Sequence, residues 1–291
     1  MHIIKENYNN INIKEPLTIA IGNFDGLHLG HKALINEVLK FQDTKSAVLT
    51  FSPHTLQYFK VKDFKILTTD TDKLRKSAKF NLDYFIFVNF NQDFASLDEI
   101  TFVQFLQAIN VKRIVLGSDA KFGKGGSINK NVLKNHFEVI EINDLIIDQK
   151  RISSTYIKTL LQAGNIELAN KYLNENYQII GTVTHGNKVG TKLGFPTANV
   201  LYNNYFLPKN GVYFVKVYDH YGICNIGNNP SINYSPNKRL EVHIFDYKND
   251  LYGETIQIEF IKYLRDEKKF NTKEELINQL KLDEKIARSM I

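Results

Sequence analysis

Two histidines stand three residues apart in the run Gly22-Asn23-Phe24-Asp25-Gly26-Leu27-His28-Leu29-Gly30-His31. Imidazoles at that spacing can hydrogen-bond phosphate oxygens in a crowded transition state. The glycines let backbone approach the same oxygens. An apolar run, Leu17–Ile21, precedes them and reads as a buried strand. Leu34, Ile35, Val38 and Leu39 follow at helical spacing. The pair therefore sits on a strand-to-helix turn, where an α/β sheet binds phosphate at the unpaired N–H groups of a helix start.

Two further patches suit phosphate. One runs from Gly117 through Ser118, Asp119, Ala120, Lys121 and Phe122 to Gly123, continuing to Gly126. Its glycines and lysines fit a loop over a ligand, and the spacing is not that of a Walker loop. As an isolated feature it also fits a plain surface turn. The other is Arg151-Ile152-Ser153-Ser154-Thr155-Tyr156-Ile157-Lys158, at a predicted helix start. Hydroxyls and N–H groups there can hold phosphates, or Ser153 or Ser154 can simply cap the helix.

A second centre lies later. Gly186, Gly190 and Gly194 shape a loop after a strand, and Pro196-Thr197-Ala198-Asn199 follows. In extended chain Thr197 and Asn199 point to one face. A hydroxyl and an amide oxygen there can hold Mg²⁺ with ATP phosphates; a polar pair on an exposed strand has the same pattern.

The elements that must position these groups fall into two kinds. In the first half, strand-like segments at 46–51, 84–90, 113–118 and 137–142 alternate with helical periodicity at 70–80 and 97–109. That alternation implies βαβ units and a parallel sheet. Helices at 153–163 and 166–173 bridge the halves. From Tyr177 onward strands succeed one another, at 178–184, 212–218, 223–226, 240–245 and 255–263. Alternation in Val212–Val217 and Ile256–Phe260 points to an antiparallel sheet or small barrel. A last helix starts near Thr272, where Thr272 and Glu275 match a capping box. The expected division is 1–176 and 177–291.

The chain has 291 residues, 43% hydrophobic and 23% charged, a globular composition. No apolar run approaches the ~20 residues of a membrane span. The polar N-terminus is not a secretory signal. The single cysteine, Cys224, excludes an internal disulfide and reads as a small buried residue in a cytoplasmic protein. A net charge of +6 without a dense basic block suits an enzyme of polyanionic nucleotides better than a nucleic-acid binder.

GNFDGLHLGH, the G-x-D-x-x-FG pattern from Gly117 to Gly123, and RISSTYIK together resemble the nucleotidyltransferase superfamily, and more closely the FMN adenylyltransferase module of bacterial FAD synthetases. The resemblance implies a Rossmann-like parallel sheet. It implies that the phosphate of FMN attacks the α-phosphorus of ATP, with His28 and His31 stabilising the transition state. Gly22, Asn23, Phe24, Asp25, Gly30, Asp119, Arg151, Ser154 and Thr155 would bind ATP and phosphate. Ala120 stands where an aromatic is usual, and Lys158 where Arg is usual, which loses bidentate geometry.

The second half, with PTAN, Pro208–Tyr213, Asn225–Pro230, Leu240–Asp246, Leu251–Gly253 and Leu264-Arg265 in order, resembles bacterial riboflavin kinase. That family uses a six-stranded antiparallel barrel followed by helices. Carried over, Glu241 is the general base toward riboflavin. Thr197 and Asn199 hold Mg²⁺ and ATP. Gly186, Gly190, Lys192 and Gly194 form the phosphate loop, and Arg265, Phe270 and Arg288 bind flavin. Thr191 departs from a usual basic residue, and Ser231 from a usual Thr. The expected substrates are riboflavin, FMN and ATP, with no nucleic acid or membrane partner. Two readings stay open beside it: one intact activity of the two, or a flavin- or nucleic-acid-binding protein without turnover.

Overall fold

The computed structural model describes residues 1–185, 194–228 and 238–291. The chain divides into two compact units, Met1–Ser154 and Thr155–Ile291.

The first unit is built on β1 (His2–Glu6), β2 (Leu17–Ile21), β3 (Lys45–Ser52), β4 (Tyr84–Asn89) and β5 (Val111–Gly117). After the short β6 (Lys121–Phe122) and β7 (Ile128–Asn129) comes β8 (Glu138–Ile142), then the hairpin β9 (Ile146–Ile147) and β10 (Lys150–Arg151). The sheet runs β1-β4-β3-β2-β5-β8, all neighbours parallel. Helices α1 (Leu29–Val38), α2 (Thr55–Tyr58), α3 (Asp70–Ser77), α4 (Gln92–Ala95), α5 (Glu99–Ala108) and α6 (Lys130–Lys134) connect the strands.

Central β2 is buried along its whole length, as expected of a parallel strand covered on both faces. Its residues divide by parity. Leu17, Ile19 and Ile21 join one core cluster with Phe102, Phe105 and Leu106 of α5. Ala20 joins the other, with Leu34, Ile35 and Val38 of α1. The expected helix over 70–80 ends earlier: α3 stops at Ser77, and 78–80 tightens to a 3-10 turn. The sequence reading placed no strand before Leu17, yet β1 is there. It is a sheet-edge strand whose side chains are almost all exposed, so it carries no burial pattern to read.

Helix α7 (Ser154–Ala163) starts on the last residue of the first unit, and in the second unit it and α8 (Ile166–Leu173) precede a closed barrel. Its strands are β11 (Tyr177–Thr184), β12 (Ala198–Tyr202), β13 (Gly211–Val217), β14 (His220–Gly227), β15 (Arg239–Ile244) and β16 (Thr255–Arg265). The helix α9 (Lys273–Arg288) ends the chain. The barrel order is β11-β12-β15-β14-β13-β16, with antiparallel pairing throughout. Alternation holds in β16, where Ile256, Ile258 and Phe260 are fully buried. It fails in β13, buried from Gly211 to Val215. The outward residues Val212 and Phe214 pack with Ala287 of α9, so this strand is covered on both faces. The sixth strand, β12, begins inside the PTAN run; the five strand segments read from sequence omitted it. Thr272 caps α9 by accepting the Glu275 N–H at 3.1 Å, while the Glu275 carboxylate takes the Asn271 N–H at 2.9 Å.

Candidate active site

In the first unit the turn leaving β2 is locked from several sides. Gly22 N–H donates to the Leu49 carbonyl at 3.1 Å. The Asn23 side chain accepts from Thr55 N–H at 3.3 Å and donates to Thr55 Oγ1 at 3.1 Å. Asp25 is buried, and a buried carboxylate must be hydrogen-bonded to persist. Its Oδ1 accepts from Leu67 N–H at 2.6 Å and Thr68 N–H at 3.1 Å. The Ser154 hydroxyl donates to the Asp25 carbonyl at 2.7 Å.

Phe24 and Leu27 take left-handed backbone, φ 49° and 47°, at a cost of about 1–3 kcal/mol each. Both side chains are fully buried, and that burial offsets the strain. Gly26, φ 91°, supplies the conformation between them that a side chain would oppose.

This locked turn delivers the histidines. His28 caps α1, its Nδ1 accepting the His31 N–H at 3.4 Å, which leaves the proton on Nε2. The two rings stack at 3.7 Å between centroids, and Phe24 lies 5.1 Å from His31. Gly30 makes room: a Cβ there would stand 3.2 Å from the His28 ring. Burial, with the Arg151 and Lys32 charges against the opposing pull of Asp25, holds His28 down to about 4. Burial, then His28 and Lys73, holds His31 well below the ordinary imidazole value. Both rings are uncharged at neutral pH, so in the free protein they are hydrogen-bonding groups rather than cations.

Gly22 through His31 and Ser154 therefore gather at one turn. Asp119 and Arg151 come together as an ion pair at 2.7 Å, with Asp144 Oδ1 on Arg151 Nε at 3.0 Å. Thr155 is the first residue of the other unit. Sequence reading missed His54 and Thr68. His54 caps α2 by accepting from Leu56 N–H at 3.1 Å. Thr68 Oγ1 accepts the Gly26 N–H at 2.8 Å. The signal for His54 was Pro53-His54 directly after an apolar strand, a second strand-to-helix turn beside the first.

In the second unit Glu241 faces Asn199 on β12 and Asn225 on β14 in register. Directly opposed residues share a face of the sheet, so carboxylate and amides form one row. Arg239 Nη2 lies 3.1 Å from Glu241 Oε2. Burial nevertheless raises the Glu241 carboxyl above its ordinary value, Arg239 opposing. Thr197, immediately before β12, lines a cleft of about 290 Å³ with Val183, Ala198, Val242, Ile244 and Tyr252 among its walls. Gly194 has φ 84°, the left-handed region where a side chain is strained. Gly186, Gly190, Lys192, Thr191 and Ser231 lie outside the described residues.

The expected flavin groups are engaged structurally. Arg265 grips Asp283 of α9 with Nε at 2.8 Å and Nη2 at 2.6 Å. Arg288 forks onto Asp246 at 2.8 and 3.0 Å, with its guanidinium 4.5 Å from the Phe245 ring. Phe270 is half-buried in the segment of chain that joins β16 to α9. Cys224 is buried and free, as expected.

Two family models match. FAD synthetase covers residues 10–156 and riboflavin kinase covers residues 173–291. A bifunctional riboflavin kinase/FMN adenylyltransferase of Buchnera aphidicola (from Acyrthosiphon pisum) is 38% identical over 97% of this chain and 96% of its own. That of Bacillus subtilis is 37% identical over 98% and 94%. A solved structure described as a macrolide-efflux protein from Streptococcus pneumoniae superposes with a TM-score of 0.89. It is 31% identical and covers 99% of this chain and 98% of that one. Among the described residues no helix is long and apolar enough to cross a membrane. Both modules are present in one chain, and the protein belongs to the family of bifunctional riboflavin kinase/FMN adenylyltransferases.

Proposed function

We propose that the protein, a cytoplasmic enzyme, makes FMN from riboflavin with residues 177–291 and FAD from FMN with residues 1–176, using ATP in both steps. The observation that carries this reading is Glu241, a carboxylate made more basic by burial and set opposite Asn199. In the kinase step Glu241 takes the proton of the terminal ribityl hydroxyl. The freed oxygen bonds to the γ-phosphorus of ATP as the bond to ADP breaks. Thr197 and Asn199 offer a hydroxyl and an amide oxygen, donors that suit Mg²⁺. They would hold it against the ATP phosphates, where it neutralises charge. Gly186, Gly190, Lys192 and Gly194 form the phosphate loop, and Arg265, Phe270 and Arg288 flank the flavin.

In the adenylyl step an FMN phosphate oxygen bonds to the α-phosphorus of ATP as pyrophosphate leaves. No enzyme nucleophile is needed, so positioning and hydrogen bonding carry the rate. His28 and His31 meet the phosphate oxygens. Gly22, Asn23, Phe24, Asp25 and Gly30 shape the turn. Arg151, Ser154 and Thr155 reach the ATP phosphates, and Asp119 lines the nucleotide side. Arg151 exchanges its carboxylate partners for phosphate when ATP binds.

The test is one reaction of the purified chain with riboflavin, ATP and Mg²⁺, the products separated over time. FMN that rises and then gives way to FAD is the expected result. FMN alone refutes the adenylyl half, and FAD from added FMN but not from riboflavin refutes the kinase half.

A further inference from the structure

We propose, on the kinase reading above, that His243 is a positioning residue of the kinase site: its Nδ1–H holds the carbonyl of Pro196 and so sets Thr197 and Asn199 against Glu241.

Strand β12 joins β15 through two opposed pairs, Ala198 with Val242 and Asn199 with Glu241. Thr197 lies one residue before that ladder, and the same register carried one step further sets it opposite His243. Pro196 has no N–H with which to extend the ladder. The His243 side chain bonds the segment there instead, with Nδ1 2.7 Å from the Pro196 carbonyl oxygen. A carbonyl only accepts, so Nδ1 carries the proton and donates. Glu241 and His243 stand two apart on one strand, so both side chains lie on the same face. One strand therefore presents the base and, beside it, the group that ties down the segment carrying the metal donors.

The His243 ring is itself held in place. Phe195 and Phe245 meet it at 5.6 and 5.7 Å between centroids, interplanar angles 67° and 66°, and both phenyl rings are buried. Ile223 lies opposite His243 on β14 and packs with Phe245 and Ala287 of α9. The bond to Pro196 is exposed to solvent, where water competes for both partners. A ring already fixed by its neighbours gives up little freedom in making that bond. Asn199 is placed by the ladder and Thr197 by the clamp. Groups behind a metal ligand orient it in this way, and small misplacements of a reacting centre cost rate steeply.

The test follows FMN formation at varied Mg²⁺ in the full chain. In parallel, the Asn199 side-chain amide signal is followed by NMR as Mg²⁺ and ADP are added. His243→Ala raises the Mg²⁺ needed for half the maximal rate, and the Mg²⁺ and ADP needed to move the Asn199 signal, by about tenfold, the low end for partners behind a metal ligand. Its kcat falls while KM for riboflavin stays. His243→Asn puts an amide nitrogen where Nδ1 stood and recovers most of both, although the ring is gone. His243→Gln carries its amide nitrogen to the Nε2 position and behaves like His243→Ala. If His243→Ala fails to fold, the Asn variant against the Gln variant decides. Parent Mg²⁺ dependence in His243→Ala, or equal behaviour of the Asn and Gln variants, overturns the proposal. A parent chain that makes no FMN, with an Asn199 response weakened by His243→Ala and restored by His243→Asn, supports the clamp and overturns the kinase reading instead.

Discussion

His28 Nδ1 accepts the backbone N–H of His31 at 3.4 Å, and the two rings stack with 3.7 Å between centroids. One side chain therefore starts the helix, orients its neighbour and leaves its own Nε2–H for a ligand. Replacing His31 by Ala removes a phosphate donor but keeps the cap. The expected loss in FAD formation is about 10²–10³-fold in kcat, with FMN formation from riboflavin unchanged. Steady-state assays of both reactions on one preparation measure it.

Glu241 gives the complementary result. Glu241→Gln removes the base and keeps the size, so riboflavin phosphorylation falls by about 10²–10⁴-fold while FAD formation from added FMN persists. Burial raises this carboxyl, so the unvaried kinase gains rate with rising pH through a limb displaced upward from the ordinary glutamate value. A pH–rate profile of FMN formation locates that limb.

Gly30→Ala tests the tightness of the histidine turn. The new Cβ would meet the His28 ring at 3.2 Å, so the ring must shift by a few tenths of an ångström. Adenylylation is expected to fall about tenfold or more, since small misplacements at a reacting centre cost rate steeply. FMN formation stays at the parent rate in the same assay.

Stability should follow pH through His28. Its folded value is about 4 against an ordinary 6.5, so the unfolded chain binds more protons between those values. Stability of the first unit is full above about pH 6.5 and falls as pH drops toward 4, by on the order of 3 kcal/mol. Thermal unfolding across that window shows the slope, and His28→Gln reduces it.

The grip of Arg265 on Asp283 holds α9 to the barrel. Asp283 is 2% exposed, so Arg265→Met leaves a buried carboxylate with the Gln279 amide at 2.7 Å but without its cation, and costs about 3–5 kcal/mol. Denaturant unfolding of the full chain is expected to show the transition of the second unit at lower denaturant, with that of the first in place.

Much of this was legible in the chain. The strand Leu17–Ile21 declared itself by an unbroken apolar run, and the turn after it by glycines and histidines in one stretch. β1 was not legible because an exposed edge strand needs no apolar face. The double burial of β13 was hidden because its alternation describes the barrel alone, and α9 arrives from some sixty residues later in the sequence. The engagement of Asp25 with Leu67 and Thr68 was out of reach for a similar reason: the backbone donors lie more than forty residues away. Arg265 and Arg288 were recognisable as cations, while their carboxylate partners depend on where α9 lands.

Isotope transfer from labelled ATP tests the central claim most directly. The purified chain is given riboflavin, Mg²⁺ and ATP labelled at either the γ- or the α-phosphorus. The expected result is γ label in FMN, in the FAD made from it and in pyrophosphate, and α label in FAD but not in FMN. Flavins that acquire neither label would contradict the claim that this chain carries both reactions.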